Sequence, residues 1–328
     1  MTIKNFNIFI NNCFDLVEKM KSTDHSYDRD NLNPYHLEGD VWTHTVMVYN
    51  EAVKRGFNKL VQISALFHDI GKIDTAVRNE NKRVSFRGHA GISAFKSLDY
   101  LKYFNLNRKE IITIFQMIAF HDIIFHDLEK ISAMVDSDLL ENIINLSICD
   151  RAGRVTDCSS LDQIIDYKVK DYKIEKNDSE KEIIMLIGLP ASGKSSFLKD
   201  KDGFVISRDR IIHDLGGDNY NLAYNTVDMK LVDIELSKQK QQGLSFNKVY
   251  VDMTNMTKKR RNSLLNLYKN YKKTAIVFLV PFQELIKRKR INKNISEDVY
   301  LMMMKSFTPP TYDDFDQIDF IIDMNNFK

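Results

Sequence analysis

The segment that most constrains the fold is a glycine-rich loop that follows an apolar run. Residues 183–187 read Ile-Ile-Met-Leu-Ile, and residues 188–196 continue as Gly-Leu-Pro-Ala-Ser-Gly-Lys-Ser-Ser. This is the pattern G-x-x-x-x-G-K-[ST] directly after a predicted strand, the arrangement in which loop N–H groups surround the phosphates of a nucleoside triphosphate. The loop therefore predicts a strand, loop and helix that bind ATP or another nucleoside triphosphate.

The rest of the chain divides into a helical half and an α/β half. In the first half helix-length apolar patterns predominate, over residues 42–54, 60–70, 109–120 and 139–149. In the second half short apolar runs alternate with longer amphipathic stretches, which predicts a doubly wound parallel sheet; the runs are 183–187, 204–207, 249–252 and 274–280. A strongly polar stretch lies between the halves. We therefore expect an all-α domain over residues 1–170, a linker over 171–180, and an α/β domain over 181–328.

Composition excludes several classes of function. The 47 basic and 45 acidic residues give a net charge of +2, so nucleic acid would bind at a local groove and not along a polycationic surface. No apolar stretch approaches the ~18–20 residues that span a bilayer, and the N-terminus lacks a signal-peptide pattern, which predicts a cytoplasmic protein without a membrane partner. The three cysteines lack metal-type spacing and are expected to remain reduced.

The residues of the glycine-rich loop each have an expected task. Gly188 and Gly193 allow the backbone to curl, Lys194 supplies a cation to the transferring phosphoryl group, and Ser195 is a ligand for Mg²⁺. The loop residues expected at the nucleotide are Gly188, Ser192, Gly193, Lys194, Ser195 and Ser196.

Further kinase residues are expected where the next strands end, because doubly wound sheets bind substrates at the carboxyl ends of their strands. Asp209, in Ser-Arg-Asp after the second run, would accept the proton of an attacking hydroxyl; the alternative is that it caps a helix beginning at the next residue. Asp252 would hold Mg²⁺ through water. Thr254 and Asn255 would bind nucleotide phosphate or the acceptor.

A basic segment follows the last apolar run. Residues 287–290 read Lys-Arg-Lys-Arg. Arg288 and Arg290 would fold over the triphosphate as a lid, and a solvated basic helix face is the alternative.

Histidines are concentrated in the first half, where seven of the eight lie before residue 127. His68 and Asp69 are adjacent at the end of an apolar segment closed by Gly71, so they can bind one ion if other helices supply further ligands. His44 and Asp150 meet that need. Mixed imidazole and carboxylate donors favour Mn, Fe, Co, Ni or Zn over Ca, and an ion of this kind would activate water for attack on phosphorus.

The order of these four residues resembles the HD-domain phosphohydrolase family over about the first 165 residues. By that resemblance His89 and His121 would bind a second ion, with Asp69 bridging the two. His126 is disfavoured as a companion of His121, since five residues correspond to ~140° around a helix. Lys72 would clamp a phosphate oxygen, or it is a solvated lysine near a helix end.

The motifs of the second half, taken together, resemble the 5′-hydroxyl polynucleotide kinase family over residues 181–328. They are the loop, Ser-Arg-Asp, Asp-x-Thr-Asn and the Val-Pro-Phe segment with its basic helix. An HD phosphohydrolase followed by such a kinase resembles the bifunctional HD-Pnk end-healing enzymes. The resemblance implies phosphorylation of 5′-OH ends of RNA or DNA and removal of 2′,3′-cyclic or terminal 2′/3′-phosphates. A separate ligase would seal the ends.

Two positions depart from that family pattern. Ile212 stands where an arginine binds the acceptor phosphate, so Arg208 or Arg210 would have to substitute. Asn292 stands where a second lid arginine is expected, which leaves Arg290 or Lys293 for that task.

Two other functions stay open at this point. The chain could pair a small-molecule nucleoside or nucleotide kinase with an HD nucleotidase. Alternatively, the triphosphate site could be a sensor that regulates the HD hydrolase, although a sensor needs no acceptor base such as Asp209.

Overall fold

A computed structural model describes residues 2–25, 36–78, 80, 84–123, 135–155, 179–217, 220–292 and 295–327. The chain divides into two compact units. The first comprises Met1–Tyr172, Met304–Phe307 and Met324–Lys328, and the second comprises Lys173–Met303 and Thr308–Asp323. The linker predicted over residues 171–180 lies outside the described residues except for its last two positions.

The described part of the first unit is mainly helical. Its helices are α1 (Thr2–Asn12), α2 (Phe14–Lys21), α3 (Val41–Lys54), α4 (Lys59–Phe67), α5 (Lys72–Thr75), α6 (His89–Ser97), α7 (Arg108–Phe120) and α8 (Ser137–Ala152). Strands β1 (Val77–Arg78) and β2 (Val84–Ser85) form a two-stranded antiparallel ribbon.

Helix α4 lies at the centre of this unit. Every side chain from Val61 to Phe67 is buried, and the helix packs against α3, α7 and α8. A helix whose side chains are buried on all sides lies in a core, and here only Gln62 and Ser64 of the buried stretch are polar. Because His68 caps the carboxyl end of α4, the His-Asp pair is delivered to the interior of the unit.

Side-chain caps fix where the surrounding helices begin. Asp40 accepts from the N–H of Thr43 at the start of α3, and Asp136 accepts from that of Leu139 at the start of α8. Asn107 opens α7 with a reciprocal capping box. Each such cap satisfies main-chain donors that the helix itself leaves unpaired.

The second unit is built on a five-stranded parallel sheet with the strand order β4-β5-β3-β6-β7. The strands are β3 (Glu182–Ile187), β4 (Phe204–Ser207), β5 (Lys248–Asp252), β6 (Lys272–Leu279) and β7 (Gln317–Ile322). The helices are α9 (Lys194–Phe197), α10 (Arg208–Gly216), α11 (Tyr220–Thr226), α12 (Met229–Gln242), α13 (Lys258–Leu265), α14 (Phe282–Asn292) and α15 (Glu297–Lys305), the last two residues of which are assigned to the first unit. Strand β3 is central, and its apolar side chains are buried.

The expectation of a helical first half and an α/β second half with a parallel sheet is confirmed. All four predicted strands are present, and a fifth, β7, was not predicted. Its alternation of apolar and polar residues, Gln-Ile-Asp-Phe-Ile-Ile, fits an edge position.

Two further observations concern single residues and helix length. Cys13 and Cys149 are buried without a disulfide, and burial raises the pKa of each thiol to about 12; Cys158 lies outside the described residues. None of the helices that the structure describes is long and apolar enough to cross a membrane.

Replacing the cap of α8 tests how that helix is held. Asp136→Ala should lower the free energy of unfolding by about 1 kcal/mol, because the first-turn N–H of Leu139 loses its acceptor. The melting temperature, followed by circular dichroism, should fall by roughly 2–4 °C. Glu141→Ala, at an exposed position of the same helix, is the matched control, and equal melting of the two variants would contradict the capping role.

Candidate metal centre and nucleotide site

Six predicted ligands meet in the interior of the first unit, and all of them are buried. They come from five helices or their ends: His44 from α3, His68 and Asp69 from the end of α4, His89 from α6, His121 from the end of α7, and Asp150 from α8. The donor atoms form two groups of three.

The first group consists of His44, His68 and Asp150. The Nε2 atom of His44 lies 3.0 Å from Oδ1 of Asp150 and 3.4 Å from Nε2 of His68. The Nε2 atom of His68 is 3.8 Å from the same Asp150 oxygen. Two imidazole nitrogens and a carboxylate oxygen therefore face one point.

The second group consists of Asp69, His89 and His121. The Nε2 atoms of the two histidines lie 3.1 Å apart. Oδ1 of Asp69 lies 3.2 Å from Nε2 of His89 and 3.7 Å from Nε2 of His121. The other oxygen of Asp69 faces the first group, at 3.2 Å from Nε2 of His68 and 3.5 Å from Nε2 of His44. Asp69 thus lies between two histidine pairs and presents one oxygen to each.

The second ring nitrogen of each histidine is held by the main chain. The carbonyl oxygens that contact Nδ1 are those of Gly153 for His44, Ala65 for His68, Phe86 for His89 and Ile118 for His121, at 2.7–3.2 Å. Since a carbonyl only accepts, each Nδ1 carries the proton and each Nε2 of a neutral ring carries a lone pair.

This arrangement fits divalent ions. Facing lone pairs at 3.1 Å and 3.4 Å repel each other unless a cation or a proton lies between them. The same spacing suits two nitrogens that bind one ion at ~2.0–2.1 Å each. Nitrogen and carboxylate donors together match Mn, Fe, Co, Ni or Zn.

Both aspartates of the centre are ionised. Burial alone raises the pKa of Asp150, but Arg154 and His44 hold that pKa well below its usual range. Burial likewise raises the pKa of Asp69, and His68 and Lys72 outweigh it. Each carboxylate is therefore ready to bind a cation at neutral pH.

Two supporting residues were not predicted. Nη2 of Arg154 lies 2.5 Å from Oδ2 of Asp150, and Oε1 of Glu38 lies 2.9 Å from Nδ1 of His44. The i, i+4 spacing of Asp150 and Arg154 was a usable signal. Glu38 lies on an irregular segment before α3, where no periodicity marks it.

Lys72 is buried, so the alternative of a solvated lysine is wrong. Its Nζ lies 2.7 Å from Oδ2 of Asp69 and 3.1 Å from Nε2 of His25. His126 lies outside the described residues.

In the second unit, the glycine-rich loop directly follows the central strand β3. The ammonium group of Lys194 donates to the carbonyls of Gly188 and Leu189, at 2.9 Å and 2.7 Å, and to Oγ of Ser192 at 3.3 Å. Gly193 has a φ of 96°, a conformation that favours glycine. Lysine and loop therefore form one compact anion-binding unit.

Ser195 and Asp252 face each other across the sheet edge. Oγ of Ser195 donates to Oδ2 of Asp252 at 2.8 Å. Asp252 ends β5 in register with Leu186 on one side and Ser207 on the other. A hydroxyl and a carboxylate at this point supply the oxygen donors that Mg²⁺ prefers. Ser196 follows as an exposed residue of α9.

The segment after β5 is hydrogen-bonded to the glycine-rich loop and to the end of β3. The carbonyl of Thr254 accepts from the N–H of Gly188 at 3.1 Å. Asn255 is buried with a φ of 49°, and its amide nitrogen donates to the carbonyl of Leu186 at 2.8 Å. The structure thus directs the Asn255 amide to the main chain and not toward a phosphate.

A fully buried arginine fixes this segment in turn. Arg261 of α13 donates to the carbonyls of Asn255, Met256, Thr308 and Pro309. Sequence reasoning missed it because a basic helix such as Lys-Lys-Arg-Arg is normally solvated.

The candidate acceptor base Asp209 lies in the first turn of α10 and is exposed. Ser207 caps this helix, accepting from the N–H of Arg210 at 3.3 Å, so the alternative that Asp209 is the cap is wrong.

The positions that depart from the family pattern differ in exposure. Ile212 is buried, which rules out an acceptor contact there. Arg208 pairs with Asp233 at 2.7 Å, and Arg210 is exposed.

The basic segment forms part of α14. Nε of Arg288 donates to Oε1 of Glu284 at 2.9 Å. The side chain of Arg290 and the whole of Lys293 lie outside what the structure describes.

Comparison with known families bears on the nature of the second unit. Residues 183–310 match a family model described as an AAA domain. The glycine-rich loop, the parallel sheet and this match together support a P-loop, kinase-like domain in the second unit. A domain of this kind uses ATP and Mg²⁺. The chain has no match among the curated proteins.

Removing the loop cation tests the nucleotide site. Lys194→Ala should lower phosphoryl transfer from ATP by on the order of 10²–10³, because charge on the transferring group loses its stabilising cation. Transfer is measured with γ-labelled ATP. Lys199→Ala, an exposed lysine just beyond α9, is the matched control and should retain wild-type activity. Equal rates for Lys194→Ala and wild type would rule out this role.

Proposed function

We propose that this protein heals broken RNA or DNA ends. The C-terminal kinase domain would phosphorylate 5′-OH ends with ATP and Mg²⁺. The N-terminal unit would be an HD-type phosphohydrolase that removes 2′,3′-cyclic or terminal 2′/3′-phosphates, and a separate ligase would then seal the ends.

The observation that carries the hydrolase assignment is the position of Asp69 between two histidine pairs. One oxygen lies 3.2 Å from His68 and the other 3.2 Å from His89. A carboxylate shared in this way suits two adjacent ions, which is the donor set expected from the HD resemblance. Such a pair would supply an activated water and charge neutralisation for phosphoester hydrolysis.

The protein's own groups would prepare the site for an anionic substrate. Arg154 holds Asp150 with two hydrogen bonds, so the carboxylate keeps one orientation. Lys72 brings a positive charge beside Asp69. The main-chain carbonyls behind the histidines keep each Nε2 turned inward. The substrate phosphate would meet a rigid site with positive charge at its edge.

On the kinase side, Asp209 would accept the proton of the 5′-hydroxyl. Its position in the first turn of α10, directly after β4, is at the sheet edge where the glycine-rich loop also lies. Because Asp209 and Arg210 are both exposed, they are accessible to the end of a long polynucleotide. This exposure favours a polymer acceptor over a free nucleoside, which kinases usually enclose.

A conservative change at Asp209 tests the kinase proposal. Asp209→Asn keeps the shape but removes the proton acceptor, so phosphorylation of a 5′-OH oligonucleotide should fall by on the order of 10²–10⁴. Removal of 3′-phosphate should persist. Asp214→Asn, an exposed aspartate on the same helix, is the control.

The same assay decides among the functions. Faster phosphorylation of free nucleosides than of oligonucleotides would favour the small-molecule kinase. If neither oligonucleotides nor nucleosides are phosphorylated, and hydrolase activity depends on added nucleotide, the triphosphate site would be a sensor.

Ligand replacement tests the hydrolase proposal. His89→Ala and His44→Ala should each abolish release of phosphate from a 3′-phosphorylated or cyclic-phosphate oligonucleotide and lower the metal content measured by mass spectrometry. His213→Ala, an exposed histidine of α10, should do neither. After chelation, Mn, Co or Ni should restore activity better than Mg, which prefers all-oxygen sites. Full activity in both His89→Ala and His121→Ala, with one ion per chain, would leave a mononuclear site in place of the proposed pair.

A further inference from the structure

A third buried group lies beside the metal centre. Ligand atoms of His25, His36 and Glu38 lie within 4.8 Å of one another. Both histidines are buried, and the side chain of Glu38 is 1% exposed. No motif in the sequence marks this group.

The ring geometry argues against a third ion. The rings of His25 and His36 are stacked, with centroids 4.2 Å apart and planes inclined by 11°. An imidazole lone pair lies in the plane of its ring, so two stacked parallel rings cannot both point at one ion. In addition, Oε1 of Glu38 already contacts Nδ1 of His36 at 2.7 Å and Nδ1 of His44 at 2.9 Å.

His25 instead points at Lys72. Its Nδ1 contacts the carbonyl of Gly39 at 3.0 Å, so Nδ1 carries the proton and Nε2 the lone pair. Nζ of Lys72 lies 3.1 Å from that Nε2. Since an ammonium group only donates, the bond runs from Lys72 to His25.

These contacts form a continuous path from His44 to Asp69. Glu38 joins the metal-centre residue His44 to His36, His36 stacks on His25, and His25 accepts from Lys72, which in turn contacts Asp69. The path begins and ends on predicted ligands. Lys72 is thereby held by His25 as well as by Asp69.

We propose that His25 is a positioning residue which, with His36 and Glu38 behind it, orients the Lys72 ammonium group for a phosphate oxygen. An ammonium group has three N–H groups. One points to Nε2 of His25, and Asp69 contacts Nζ at 2.7 Å as an ion pair. Within the described part of the chain no other acceptor lies in hydrogen-bonding distance of Nζ, so an N–H group is left for substrate. This inference rests on the proposed phosphohydrolase function.

The test compares two amides at position 25 in the full-length, Mn-loaded protein. His25→Asn can still donate to the Gly39 carbonyl but leaves no acceptor at the Nε2 position. His25→Gln can place an amide oxygen there. Binding of inorganic phosphate, measured by calorimetry, should weaken about tenfold in His25→Asn, the size expected when one hydrogen bond to a charged group is lost. His25→Gln should recover most of it.

Two further readouts separate positioning from general damage. Metal content and 5′-kinase activity should be unchanged in both variants. In a Lys72→Met background, His25→Asn should cause no further loss of phosphate binding, because the two residues act as one unit. An equal further loss in that background would overturn the proposal, as would wild-type phosphate binding in His25→Asn.

The phosphate-binding readout also separates this inference from the proposed function. If the wild-type protein binds phosphate in a His25-dependent way but releases none from any oligonucleotide, the hydrolase proposal fails and the positioning role stands. If the wild-type protein hydrolyses phosphate ends but His25→Asn matches it in both binding and rate, the positioning role fails and the hydrolase proposal stands.

Discussion

The ionised carboxylate of Asp69, buried at the end of α4, is the constraint on which the first unit depends. Burying such a group without partners costs several kcal/mol. Here both oxygens face imidazoles, and Lys72 adds a positive charge at 2.7 Å. His68 lies beside Asp69 at the end of α4, but His44, His89 and His121 come from other helices, so the packing of α3, α6 and α7 around α4 is also what makes the charge tolerable. Removing Asp69 would leave the histidine pairs facing each other with nothing to balance them.

The candidate sites of the two units are assembled in different ways. In the second unit a single loop after β3 supplies the main-chain donors and Lys194, and the neighbouring strand β5 adds Asp252. In the first unit no single segment suffices. No histidine has enough ligands near it in sequence to form a site, and only the tertiary fold brings the ligands together. A local motif therefore identifies one site, and a scattered pattern identifies the other.

This difference explains what could be predicted from the sequence. Helices α3, α7 and α8 and four strands followed from periodicity. The adjacent His68 and Asp69 stood out at the end of an apolar segment, His44 and Asp150 followed from the need for further ligands, and His89 and His121 followed from the HD resemblance. β7 was missed because its alternating, partly polar pattern is weak at a sheet edge. The buried tasks of Glu38, Arg261 and His25 could not be predicted, since each depends on residues distant in the chain and none lies in a motif. Asn255 was predicted to bind nucleotide phosphate or the acceptor, whereas its backbone is left-handed and its buried amide donates to a main-chain carbonyl.

The spacing of the ligands along the chain has a consequence for biogenesis. His44 and Asp150 touch across 106 positions, whereas Lys194 contacts Gly188 across only 6. Closing a long loop costs more entropy and delays the contact. The glycine-rich loop can take shape as soon as its strand pairs with neighbours. The metal centre is complete only after α8 has been synthesised and has docked, so ions bound earlier would meet an incomplete set of donors. Under the proposed function, metal loading would belong to the last stage of folding of the first unit, and bound metal would then stabilise that unit by mass action.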